Sequence, residues 1–240
     1  KLFYKESYKG NQTDESGGRF MKCYLCSKEL QMDLTFTSLL LLKRDEPSIC
    51  PTCFASFEKI REHHCQTCFK EGEEAFCQDC HFWYKEGIQV DHEAIFTYND
   101  AMKDYFSRYK FDGDYLLRKV FAKILRQALQ KYSDYQIVII PLSQERLKSR
   151  GFNQVEGLIK ETGLPYQDIL IKKEVDASSN KNRSERLLTE FPFVVRDGAI
   201  IPKCILLVDD IYTTGTTVNR TKKLLLESGC QKIKTFSLVR

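Results

Sequence analysis

The chain of 240 residues has no long hydrophobic run. Its longest purely apolar stretches include Leu39 to Leu42 and Ile205 to Val208, far short of the roughly 18–20 residues a transmembrane helix needs. No signal segment opens the sequence, so membrane spanning and secretion are set aside and a cytoplasmic protein is expected. A strong charge of one sign is missing too: the formal net charge is only +4, too small to argue for nucleic acid on its own. Internal repeats are absent apart from one kind of cysteine pair. With 42 % hydrophobic and 29 % charged residues, the composition excludes a disordered chain and fits a folded one.

The small net charge hides an uneven distribution. Residues 21–92 carry a net −4 and residues 93–240 a net +7, so an acidic front is joined to a basic body. The expected organisation is a flexible extension over residues 1–20 preceding Met21, a small domain over 21–92 and a larger one over 93–240.

Cysteine sharpens that division. Eight of the ten cysteines form Cys-x-x-Cys pairs: Cys23/Cys26, Cys50/Cys53, Cys65/Cys68 and Cys77/Cys80. A reducing compartment disfavours a disulfide framework. A thioredoxin-like dithiol needs one such pair at a strand-to-helix junction, not four in a short irregular segment. Two pairs complete one tetrahedral zinc site, so four predict two structural zinc ions. Sequential pairing (Cys23, Cys26, Cys50 and Cys53; then Cys65, Cys68, Cys77 and Cys80) is favoured, and a crossed arrangement stays open. All-cysteine sites are closed, so they fold the segment and do not catalyse. Eight thiolates make the front strongly acidic, which suits contact with protein or packing on the body better than contact with nucleic acid. His63, His64, His81 and His92 are expected at the surface or beside the zinc sites, and Cys204 and Cys230 have no assigned role. Phe82-Trp83-Tyr84 is expected to pack the small domain or its junction.

From Ala94 onward, short apolar runs alternate with helical patterns. Helices are predicted over Asp100–Tyr109, Tyr115–Tyr132, Asn153–Glu161 and Thr216–Glu227. Strands are predicted over Gln136–Ile140, Asp168–Ile171, Cys204–Val208 and Lys232–Val239. This alternation predicts an α/β fold with a parallel sheet covered on both faces. At its centre lies Ile205-Leu-Leu-Val-Asp-Asp-Ile-Tyr-Thr-Thr-Gly-Thr-Thr217, a buried strand ending in two acids, then a Thr/Gly loop opening a helix. Ligands of open α/β sheets bind at the carboxyl ends of strands. Backbone N–H groups at a helix start, with threonine hydroxyls and a close-approaching Gly215, make an anion cradle. Asp209 and Asp210 suit sugar hydroxyls or the waters of Mg²⁺. Together they point to a ribose phosphate. An ordinary helix cap by Thr213 or Thr216 is the bland alternative, and it leaves the two acids unexplained.

Val208-Asp209-Asp210-Ile211-Tyr212-Thr213-Thr214-Gly215-Thr216-Thr217 resembles the phosphoribosyl-pyrophosphate (PRPP) signature of type I phosphoribosyltransferases. With Pro141-Leu142-Ser143-Gln144-Glu145-Arg146, Arg150-Gly151-Phe152-Asn153-Gln154 and the cysteine pairs, residues 21–240 are similar to the ComF family of competence proteins. The resemblance implies a type I phosphoribosyltransferase-like parallel sheet with a small N-terminal cysteine-rich zinc domain. Asp209 and Asp210 would hold the ribose hydroxyls and Mg²⁺. Thr213, Thr214, Gly215, Thr216 and Thr217 would cradle the 5′-phosphate. Arg146, Lys148 and Arg150 would meet the pyrophosphate, for which guanidinium forks are suited. Lys181, Arg183 and Arg186 would lie on the closing loop.

The pattern also departs from the transferases. Thr213 stands where purine-type members carry an acid, as an uncharged residue does in orotate- and adenine-type enzymes, and no segment reads as a base-selecting hood. The resemblance further implies a role in natural transformation, in the uptake of single-stranded DNA. Its partners would be a ComFA-like import ATPase and DNA-processing proteins, which could recruit the protein to the inner face of the membrane. Transfer of ribose 5-phosphate from PRPP to a nitrogen acceptor is the alternative activity.

Overall fold

The computed structural model describes residues 21–30, 48–72, 75–173 and 191–240. Chain contacts divide it into two units, residues 1–56 and 57–240, a boundary earlier than the change of composition at residue 93. The two cysteine clusters therefore fall in different units.

In the first unit, β1 (Met21–Lys22) pairs antiparallel with β2 (Glu29–Leu30), and α1 spans Pro51–Ala55. Cys23 and Cys50 are buried with Leu30 in a small core.

The second unit begins where Phe57 packs edge-on against Phe96, Tyr105 and Phe121. Its elements are α2 (Gln78–Lys85), β3 (His92–Phe96), α3 (Asp100–Lys110), a 3₁₀ helix (Tyr115–Lys119), α4 (Ala122–Gln130), β4 (Gln136–Ile139), α5 (Gln144–Arg150), α6 (Gln154–Thr162), β5 (Tyr166–Gln167), β6 (Leu170–Lys172), β7 (Phe193–Val195), β8 (Cys204–Ile211), α7 (Thr216–Glu227) and β9 (Lys232–Val239). Five strands form a sheet in the order β3-β9-β8-β4-β5, and every pairing in it is parallel. β8 lies at the centre, and Ile205 to Val208 are all buried, as strands covered on both faces must be.

Two predicted elements and one predicted residue position take a different form. The helix expected over Tyr115–Tyr132 is broken into the 3₁₀ turn and α4. The strand expected at Asp168–Ile171 is displaced: β5, just before it, closes the sheet edge, and β6 (Leu170–Lys172) leaves the sheet to form an antiparallel hairpin with β7. His92 is buried in the core, and its ring bridges the hydroxyls of Thr235 and Ser237 at 3.0 Å each. Pairing of β3 with β9 sets His92 opposite Thr235, which supplies the polar partners that burial of an imidazole requires.

Candidate functional site

The site grows out of the end of β8. Successive strand residues face opposite sides of a sheet, so Asp210 shares the face of Leu206 and Val208, and Asp209 takes the other. Each carboxylate is held by the next amide: Asp210 N donates to Asp209 Oδ1 and Ile211 N to Asp210 Oδ1, both at 2.9 Å. Asp210 Oδ2 makes no directed hydrogen bond and lies 2.5 Å from Lys110 Nζ. Lys110 closes the last turn of α3, with its ammonium over the Phe106 ring. Burial opposes ionisation of Asp210, but the Lys110 charge outweighs it and holds this carboxyl below its ordinary range. Burial and the adjacent Asp210 charge push Asp209 well above that range. Of two neighbouring acids, one is favoured as the anion and the other as the neutral acid.

The loop that follows is built around Gly215. Its φ of +78° lies in the left-handed region, and a Cβ would stand 2.5 Å from Tyr212 Cζ and 2.6 Å from Asn219 Nδ2. Only glycine lets the chain pass so close over the Tyr212 ring. That ring is stacked on His92, and its hydroxyl accepts from Asn219 Nδ2. Gly215 is the N-cap of α7 and supplies no side-chain cap, so the ordinary threonine cap is not formed. Thr214 and Thr216 pair through their hydroxyls at 2.9 Å, with Thr213 exposed beside them. A 12-residue helix with a glycine start and flanking hydroxyls presents N–H groups suited to an anion.

Cations converge on the acids from other elements. Arg150, in the last turn of α5, pairs with Gln154. Burial lowers its pKa while the charge of Asp210 raises it. Lys172 on β6 is half-buried over the Phe193 ring. Burial lowers its pKa, assisted by Arg146 and opposed by Asp209. Arg146 and Lys148 are exposed on α5. A cleft of ≈ 180 Å³ opens between the loop after Pro141 and the β6–β7 hairpin, lined among others by Leu142, Leu147, Glu156, Lys172 and Arg196. Lys181, Arg183 and Arg186 lie outside the described residues. Lys110 and Lys172 carry no mark in the sequence, since nothing in local spacing singles out a lysine that meets Asp210 from some 100 residues away or one that feels the charge of Asp209 from another strand.

The eight paired cysteines gather as two sets of four, Cys23, Cys26, Cys50 and Cys53, and Cys65, Cys68, Cys77 and Cys80, with the sulfurs of each set within 4.8 Å of one another. Both sets use the same turn. Cys23 N and Cys65 N donate to Lys28 O and Lys70 O, and Ser27 and Phe69, one residue past the second cysteine, take φ near +60°. The later pair of each set begins a helix, with Cys50 and Cys77 as N-caps. The Sγ separations of Cys26–Cys50 and Cys65–Cys80, both 3.8 Å, are far too long for a disulfide. They match the edge of about 3.8 Å expected of a tetrahedron with Zn–S near 2.3 Å. The donors fit a zinc ion in each set, which would supply structural cross-linking. Sequential pairing is the arrangement found.

Residues 115–240 match the phosphoribosyl transferase domain family. With the parallel sheet, the acid pair and the glycine-started helix, this defines a phosphoribosyltransferase-type α/β domain accompanied by cysteine-rich zinc-binding elements. The chain is 59 % identical over 220 residues to the competence protein ComFC of Streptococcus pneumoniae, covering 92 % of this chain and 100 % of that one. It is 35 % identical to the competence protein ComFC of Bacillus subtilis, covering 95 % and 99 %. Competence protein F of Haemophilus influenzae is 26 % identical, covering 60 % of this chain and 69 % of its own length. The chain belongs to the ComFC family of competence proteins. Among the described residues no helix is long and apolar enough to cross a membrane.

Proposed function

We propose that this protein assists the internalisation of single-stranded DNA in natural transformation, and that the end of β8 is a pocket for PRPP with Mg²⁺. The observation that carries the pocket is the junction of the Asp209–Asp210 pair with a helix whose first turn has glycine in place of a side-chain cap. Asp210 Oδ2, met by the Lys110 ammonium and by no directed hydrogen bond, and the neighbouring Asp209 carboxyl are oxygens suited to ribose hydroxyls and, once ionised, to a hard cation. Magnesium would neutralise pyrophosphate charge when bound. Thr213 to Thr217 would receive the 5′-phosphate, and Arg146, Lys148, Arg150 and Lys172 would face the pyrophosphate. Lys110 would hand Asp210 over to the ligand or stay as its counter-ion. The positive body would attract a phosphate backbone, an attraction that weakens steeply with salt.

Titration calorimetry with PRPP and Mg²⁺ tests the pocket, beside an Asp209→Asn/Asp210→Asn variant. Saturable binding by the wild type that the variant loses supports it, and an absence of heat in both refutes it. Complementation of transformation by the same variant tests the coupling to DNA uptake. Uptake at the wild-type level would separate the pocket from that role.

A further inference from the structure

The phosphate loop is gripped from behind. Trp83 Nε1, on the helix that carries Cys80, donates to Thr214 O at 2.8 Å. Arg240 Nη1 donates to Tyr212 O at 3.4 Å and to Thr213 O. The rest of that guanidinium faces the second cysteine cluster: Nε donates to Cys68 O at 3.1 Å, and Nη2 to Cys68 Sγ at 3.2 Å and Asp79 Oδ2 at 3.1 Å. The same arginine lies over the Tyr212 ring at 4.8 Å, and its side chain is only 7 % exposed. Three consecutive carbonyls of the loop are thus held by two side chains, one on the cluster's own helix and one bound to its sulfur.

A trans peptide places its C=O and the following N–H on opposite edges. Holding the carbonyls of Thr213 and Thr214 toward the cluster turns the N–H groups of Thr214 and Gly215 the other way, to the side on which an anion would sit. The buried cluster also shares one core with Trp83, Tyr212 and Val218, so it and the loop are packed as one body. A purely apolar packing role would not need an arginine whose donors are divided between a thiol, a carboxylate and the loop.

We propose that the second cysteine cluster is part of the phosphate site: through Trp83 and Arg240 it sets the peptide orientation of Tyr212 to Thr214, so affinity for a ribose 5-phosphate depends on the four thiolates remaining gathered. Trp83 and Arg240 are positioning residues, and this inference rests on the PRPP reading of the pocket.

Trp83 is the only tryptophan in the chain, so its emission reports the bond to Thr214 without a label. The test uses the full chain, with PRPP and Mg²⁺ titrated into wild type, Arg240→Met and Arg240→Lys, and with zinc content and ligand-free emission recorded for each. Arg240→Met is expected to weaken PRPP binding about tenfold and to shift the emission without PRPP, while zinc content stays unchanged. Arg240→Lys, a charge without the fork, is expected to recover only part. A loss smaller than threefold with unchanged emission overturns the inference. If Arg240→Met loses zinc or fails to fold, Trp83→Phe decides: it keeps an aromatic ring and removes the N–H, and binding within twofold of wild type overturns the inference. A wild type that binds no PRPP refutes the pocket itself; the emission of Arg240→Met then decides the positioning alone.

Discussion

Replacing Gly215 by alanine tests how tightly the loop is built. Two costs combine. The backbone there has φ +78°, and an L-residue in the left-handed region costs about 1–2 kcal/mol. The new Cβ would also fall 2.5 Å from Tyr212 Cζ and 2.6 Å from Asn219 Nδ2, so the ring must move. Its stacking on His92 and its bond from Asn219 resist that movement, and overpacking of this kind costs roughly 1–3 kcal/mol. The expected destabilisation is about 2–5 kcal/mol. Gly198 provides the comparison, since its φ is +73° but nothing lies within 4 Å of a Cβ. Gly198→Ala should therefore cost only the backbone part, about 1 kcal/mol. Urea unfolding followed by Trp83 emission reads the 57–240 unit alone. Equal losses for the two variants would refute the steric argument, and a loss below about 1 kcal/mol at Gly215 would refute the backbone argument as well.

Removing the partner of a buried charge is costly, so Lys110→Met should lose about 3 kcal/mol at pH 7. Lys110 holds Asp210 below its ordinary range, so that stabilisation is present above about pH 4 and is lost as the pH falls through the lowered value; the gap between wild type and variant in urea unfolding should narrow below about pH 4, and a gap unchanged there would contradict the assignment. Burial, with the charge of Arg240 adding, keeps His92 far below its ordinary pKa. The folded protein therefore leaves it neutral, while the unfolded chain takes up a proton near pH ~6.5. Its contribution is present above that value and is lost as the pH falls, at up to ~1.4 kcal/mol per pH unit; His92→Gln should flatten the stability profile between pH 6.5 and 5, and an unchanged slope would refute the burial argument. Thiol titration with a mercurial should release two zinc ions per chain, matching the two sets of four cysteines. Cys77→Ser should lose one of them and lower the unfolding midpoint of the 57–240 unit, because metal binding by a closed site is folding energy; a full zinc complement in that variant would contradict the pairing.

What was legible in the sequence was local. Each cysteine pair brings two sulfurs together within a few residues, so the pairs and their metal-ligand character follow from spacing, while the sequential grouping over the crossed one is settled by the fold. Ile205 to Val208 is apolar without alternation because β8 is covered on both faces, and the acids after it are adjacent in the chain. What was not legible depends on which distant elements the sheet brings together. Lys110 meets Asp210 because α3 and β8 end at the same place. Arg240 meets Cys68 because β9 finishes beside the cluster. His92 looked like a surface residue until the pairing of β3 with β9 supplied Thr235 and Ser237. Trp83 was expected at a junction, but its flanking Phe82 and Tyr84 are 53 % and 70 % exposed, so only the middle residue of that aromatic run is used for packing.

The central claim is that the end of β8 receives a ribose phosphate. A crystal structure of the full chain grown with PRPP and Mg²⁺ tests it most directly. The expected result places the 5′-phosphate on the N–H groups and hydroxyls of Thr213 to Thr217, with the ribose hydroxyls at Asp209 and Asp210. PRPP bound elsewhere, or a loop left empty at saturating ligand with Lys110 still on Asp210, would contradict it.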